Sequence, residues 1–213
     1  MTRFRRRRWL LWAGIGAPIM AAVTAVIAAL CFPSFNHATQ YISELGGPAS
    51  PVPQVFNTGV ILAGIAAGLA GLGFGLTLAA LGGGRIAATI VSLAFLLGAV
   101  GLVASGIYTW PDPRHRMINL GLGIQLAPMF LLWGLWKVEG LTRLKWFLAI
   151  VLVLMIFLTV MTRHLVFPGT VTDDNVGWWE RAFAIALVGW VGVAAFLLER
   201  RLIAAATSDG EGA

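Results

Sequence analysis

Charge is scarce in this sequence. Of 213 residues, 15 are Lys or Arg and 9 are Asp or Glu, whereas about a quarter of a soluble domain is charged. That is too little to coat a water-facing surface, so water is not the solvent for most of the chain. Cysteine is nearly absent: Cys31 stands alone and cannot form an internal bridge, which excludes a disulfide scaffold. No CxxC, HExxH, HxxxH, Walker loop or dinucleotide fingerprint occurs, so none of the chemistries those patterns carry is indicated. The hydrophobic content also excludes a disordered chain and a collagen-like one.

What the chain has is hydrocarbon. Hydrophobic residues make up 59% of it and mean hydropathy is +0.86. The 9 Trp and 26 Gly fit a membrane protein, in which Trp gathers at the interfaces and Gly lets helices approach. Six apolar runs are separated by short polar breaks: Trp9 to Phe32, Val55 to Leu81, Ile86 to Tyr108, Met117 to Trp136, Trp146 to Met161 and Trp178 to Leu198. At 1.5 Å per residue the first run reaches roughly 36 Å, enough to span a core of about 30 Å. No run has an ionisable residue in its central stretch; Glu180 and Arg181 stand at the start of the last. The pattern predicts an all-α integral membrane bundle of six transmembrane helices over 9–202. A basic stub over 1–8 precedes it, and a disordered cytoplasmic tail over 203–213 follows.

The net charge of +6 does not indicate nucleic acid once its location is read. Arg3, Arg5, Arg6, Arg7, Arg8, Arg85, Lys137, Arg143, Lys145, Arg200 and Arg201 fall on one side of the six runs. Arg114, Arg116, Arg163 and Arg181 fall on the other. Basic residues stay inside, so both termini are predicted cytoplasmic, in a multi-pass protein of the cell (inner) membrane. The first run is too long for a signal-peptide h-region, and Leu30 before Cys31 is too large for a lipoprotein cleavage box, so the first helix is expected to remain. Small residues at Gly64, Gly68, Gly71 and Gly75 are expected to pack the second helix inside the bundle.

The polar residues gather in the three outer loops, about 33–54, 110–116 and 162–177. His37, His115 and His164 all lie there, with Glu44, Asp112, Asp173, Asp174 and Glu180. In the first loop, Tyr41-Ile42-Ser43-Glu44-Leu45-Gly46-Gly47 reads either as a reactive or ligand-binding loop pointed inward by Leu45 or as a capped helical turn. In the second, Asp112 between two prolines suits an N-cap with Pro113 at the first helical position; His115 and Asn119 lie one turn apart and could meet a head group. In the third, Glu180 and Arg181 lie near hydrocarbon, where ionisable groups are costly and usually paired or functional. Arg114, Arg163, Asp112 and Glu44 are their candidate partners.

At these residues the chain resembles a family of bacterial and archaeal membrane proteins known as domain of unknown function 998. The matching pieces are Ile42-Ser43-Glu44-Leu45-Gly46, then Tyr108-Thr109-Trp110-Pro111-Asp112-Pro113 followed by His115, then Gly177-Trp178-Trp179-Glu180-Arg181. The resemblance spans roughly 9–202. It implies six helices and a shared cluster at the outer face, and it assigns no activity.

Three functions remain open. One is a site that binds a lipid head group, a cofactor or a partner membrane protein. Another is a hydrolase or transferase for lipid or lipid-linked substrates, with Ser43, Glu44, Asp112, His115 and Glu180 as catalytic candidates. Arg114, Asn119, Arg163, His164 and Arg181 would then hold substrate. Zinc on His37, His115 and His164 is a further arrangement that the residue types permit. The third, a small permease, is disfavoured by the scarcity of polar residues at mid-membrane. The residues leave the identity of any cofactor open.

Overall fold

The computed structural model describes residues 2–117, 122–162, 167 and 169–210. Among them are seven α-helices and no strand: α1 (Arg3–Leu30), α2 (Pro53–Ala80), α3 (Arg85–Ile107), α4 (Pro113–Met117), α5 (Leu122–Leu135), α6 (Thr142–Thr162) and α7 (Val176–Gly210). A 3-10 turn covers Ile42–Gly46. Helices α1, α2, α3, α6 and α7 are each long and apolar enough to cross a membrane, and α5 is a shorter apolar helix of 14 residues. The chain is thus a helical membrane bundle of about six spans. The fourth predicted run is represented by α5, its start at 118–121 lying outside the described residues.

Two helix ends follow from local chemistry. Thr2 caps α1 by accepting from Arg5 N at 3.4 Å, and Pro53 opens α2 at a position that needs no N–H donor. Of the tail expected over 203–213, residues 211–213 lie outside the described residues. Residues 203–210 continue α7 as helix, because Ala204-Ala205-Ala206 has the strongest helix-forming residue type and no Gly or Pro intervenes before Gly210.

The helices form a ring in which neighbours pack α1–α2, α2–α3, α3–α5, α5–α6, α6–α7 and α7–α1. Its most extensive seam is α2 on α3, made by the predicted glycines. A Cβ at Gly71 would overlap Phe95, one at Gly75 would overlap Ser92, and one at Gly68 would lie 3.0 Å from Ala99 Cβ. Ser92 Oγ also donates to Gly71 O across this seam at 3.1 Å. The small-residue stripe therefore packs the bundle internally, as expected. It leaves Leu62, Ile65 and Leu69 exposed on the outside of α2.

Both termini lie at one end, where Arg8 Nε donates to Glu199 Oε1 at 2.7 Å and joins the start of α1 to α7. The half of the ring near this terminal end is filled. Phe74, Phe95 and Trp190 meet in its centre with ring centroids 5.0–6.2 Å apart. Leu11, Leu78, Leu131, Leu135, Leu144 and Leu198 close the space around them. The opposite end is covered by residues 33–52, which fold back over the helix ends as expected. There Phe32, Phe35 and Leu45 form a second, small core with Ala28 and Phe56.

Candidate functional site

The loop end is held together by contacts among the three motif regions. In the 3-10 turn, Glu44 acts as a cap: Oε1 accepts from Tyr41 N at 2.8 Å, and Oε2 accepts from Gln40 Nε2 at 2.9 Å. The capped-turn reading of Glu44 therefore holds. Leu45 at the centre of this turn is 1% exposed, so it does anchor the loop inward. The following Gly46 packs on α2, where Asn57 Nδ2 donates to Gly46 O at 3.0 Å. Gly47 lies against the third-helix loop, since a Cβ there would sit 2.9 Å from Trp110 O.

Helix α7 clamps the same loop from the other side. Gly177 N donates to Ala38 O at 2.7 Å. A side chain at Gly177 is excluded by close backbone approach: its Cβ would lie 2.5 Å from His37 O, 2.6 Å from Gln40 O and 2.8 Å from Ala38 O. One turn on, Arg181 Nη1 donates to Gln40 O at 3.0 Å and to Gly177 O at 2.7 Å, with its guanidinium 5.1 Å from the Phe35 ring centre. Glu180 Oε2 accepts from Ile42 N. The Gly-Trp-Trp-Glu-Arg motif thus works as a fastener for the roof, and Gly, Glu and Arg each have a separate part in it. Trp178 stacks on His37 with centroids 6.2 Å apart.

In the third-helix loop, Asp112 caps α4 as predicted, Oδ1 accepting from Arg114 N at 2.8 Å. Its carboxylate also takes the Arg114 guanidinium, with Nη2 to Oδ2 at 2.7 Å. Those hydrogen bonds hold the Asp112 carboxyl below the usual carboxylate range. Arg114 lies over the Tyr108 ring at 4.0 Å and is 62% exposed. His115 Nδ1–H donates to Tyr108 O at 2.8 Å. In the neutral ring this leaves Nε2 as an acceptor.

Under the roof lies a cavity of 1120 Å³, whose polar lining includes Ser43, Asn57, Thr109, Gln125, His115 and Glu180, with Tyr41 and the hydroxyls of Ser105, Thr159 and Thr162 beside them. The body is apolar, with Leu102, Phe183, Leu187 and Val188 among its walls. Among the described residues no Lys or Arg lines it. Its volume is just above the ~300–1,000 Å³ common for small-molecule pockets.

Of the candidates read from the sequence, Ser43, His115 and Glu180 are brought to one chamber. Glu44 and Arg181 instead build the roof. One expectation needs correction: Asp112 is not a partner of Glu180, because Arg114 occupies its carboxylate. His115 Nδ1 is turned to the Tyr108 carbonyl. Among the described residues no three His, Cys, Asp or Glu side chains are grouped to hold a metal ion; His37 packs between Trp178 and Phe35. Asn119, Arg163 and His164 lie outside the described residues. Asn57 was missed, although an Asn one turn inside an apolar helix is a signal that sequence offers.

A ring of apolar helices with this closed terminal half defines a multi-pass helical membrane protein. The family model for "Protein of unknown function (DUF998)" matches residues 15–197, and the chain belongs to that family. No curated protein and no solved structure matches it.

Proposed function

We propose that this protein binds a membrane lipid in the chamber beneath its roof, at the outer face of the cell membrane, and that the head group it accepts is uncharged or cationic. The observation that carries this reading is the lining of the 1120 Å³ cavity: an apolar body, a polar end, and no Lys or Arg among the described residues that line it. A phosphate or carboxylate head would lack a charged donor there. Glu180, the His115 Nε2 and the hydroxyl of Ser43 offer acceptors, which suit a hydroxyl- or amine-bearing head. The outward placement follows from the distribution of Lys and Arg, eleven on the terminal side and four on the loop side.

A lipid hydrolase or transferase would use the same three residues, since Ser43, His115 and Glu180 share the chamber. Against it, His115 has no carboxylate on Nδ1, and Arg114 is tied to Asp112 outside the lining. Binding is the better-supported reading.

The test is extraction of the protein from membranes in a polymer nanodisc, followed by lipid analysis by mass spectrometry. The expected result is enrichment of one non-anionic lipid class over the bulk membrane. That enrichment is expected to vanish in Ala184→Phe, which adds bulk to a residue that lines the cavity on the same side of α7 as Glu180. Recovery of bulk lipid composition from both proteins would overturn the reading.

A further inference from the structure

Helices α1 and α7 touch along only part of their length. Towards the terminal end they interlock through small residues: a Cβ at Gly14 would lie 3.0 Å from Ala195 Cβ, and one at Gly192 would lie 2.9 Å from Pro18 Cγ. One turn nearer the loop end, the fit is lost. No described atom of another helix lies within 4 Å of a Cβ built on Gly189. Ala22 and Ala25 of α1 and Ala184, Ile185 and Val188 of α7 all line the chamber. Ile185 does so while 70% exposed.

Helical geometry explains how one cavity reaches both faces of α7. At 100° per residue, Glu180, Phe183 and Leu187 fall within about 60° of one another on the inward face, whereas Ile185 and Gly189 fall about 120–180° away, on the outward face beyond the side that meets α1. A cavity that touches both sets passes between the two helices. It does so beneath the roof, because the 3-10 turn packs against both α1 and α7.

From this we infer that the chamber is loaded sideways from the bilayer, through a gap between α1 and α7 bounded by Ala22 and Ala25 on one side and Ile185 and Gly189 on the other. The inference rests on the reading of the chamber as a lipid site and adds its route. The gap's edges are apolar, and among the described residues no charged side chain borders it. It opens onto faces where Ile19, Val23 and Val26 of α1 are exposed to hydrocarbon. A molecule must be dissolved in the bilayer to reach it, so the passenger carries a hydrocarbon chain, and its polar head travels below the roof towards Glu180. Roof opening is not required.

A reversible staple tests the route. Ala22→Cys and Ile185→Cys are introduced with Cys31→Ser, the protein is reconstituted in vesicles, and the two thiols are bridged by a reducible bifunctional methanethiosulfonate, scored by loss of free thiol. A monoacylglycerol with a diazirine in its acyl chain is then added and photolysed, and adducts are mapped by peptide mass spectrometry. Before stapling, adducts are expected on chamber residues of α7 around Phe183 and Leu187, as well as on the outer face of α1 around Ile19 and Val23. Stapling is expected to lower the chamber adducts at least fivefold with the α1 outer-face adducts unchanged, and reduction is expected to restore them. Chamber adducts that persist undiminished in the stapled protein would overturn the route and leave the lipid site standing. A lack of chamber adducts in the unstapled protein would instead remove the lipid site, and the route with it.

Discussion

The two halves of this bundle solve opposite problems with the same kinds of residue. Near the terminal end, glycines on α2 admit Phe95 and Ser92 of α3, and an aromatic triangle fills the ring. Near the loop end, Gly46, Gly47 and Gly177 serve the roof, Gly59 and Gly106 still pack α2 against α1 and α3, and the chamber opens beside those seams. Without a hydrophobic drive between helices in lipid, packing contacts decide which half is rigid. The difference teaches that a small-residue helix closes or opens a bundle according to what faces its glycines. Gly71 faces Phe95, and Gly189 faces nothing within 4 Å.

The sharpest way to break this contrast is to remove a ring from each half. Phe74→Ala, at 0% exposure and in contact with two other aromatic rings, is expected to cost about 3–5 kcal/mol. Phe183→Ala on the chamber wall is expected to cost a third of that or less. Thermal unfolding in detergent measures both, and equal losses would erase the distinction. Adding bulk gives the converse. Gly71→Leu is expected to cost about 1–3 kcal/mol through overpacking, whereas Gly189→Leu leaves unfolding unchanged; a matching loss at Gly189 would mean the gap is absent.

The roof gives smaller effects. Glu180→Ala leaves Ile42 N without its acceptor and is expected to cost about 1–3 kcal/mol, while Glu180→Gln keeps an acceptor oxygen and recovers most of it. A Gln variant as unstable as the Ala one would show that charge, and not the Ile42 hydrogen bond, holds the roof. Gly177→Ala is expected to raise amide hydrogen exchange over residues 38–46 about tenfold, equivalent to about 1.4 kcal/mol. Unchanged exchange there would sever Gly177 from the roof.

The smallest effect is a pH dependence at Asp112. Its folded carboxyl is held below its ordinary value by Arg114, so the contribution is fully present above the unfolded value of about 3.9. It is lost as pH falls through the lower folded value. Wild type and Asp112→Asn are therefore expected to differ by a constant amount from pH 5 to 8 and to converge only below about pH 4. Convergence nearer neutrality would assign the titration to another group.

Much of the fold was legible from hydrophobic run lengths alone, because a bilayer demands long apolar helices and tolerates little else. The internal role of Gly71 and Gly75 was legible too, since their spacing makes one face of α2. The end of α7 was not: a disordered tail was expected from 203, and the Ala204-Ala205-Ala206 run carries the helix to Gly210. At the site, residue types drew attention to Ser43, His115 and Glu180, which line one chamber. They misassigned the pairing of Asp112, whose partner two residues away at Arg114 is set by the α4 cap. They also gave no hint that the Gly177 motif fastens a distant loop, because close backbone approach between residues 38 and 177 is a tertiary fact. Asn57 and the gap at Gly189 belong to the same class.

The most direct test of the account is a crystal structure of the wild-type protein grown in a lipidic mesophase. The account predicts elongated density in the chamber, with a polar end within hydrogen-bonding distance of Glu180 or His115 and a chain leaving between Ala22 and Gly189. A collapsed chamber, with Phe183 and Leu187 packed onto Leu102 and α1 closed on α7, would contradict it.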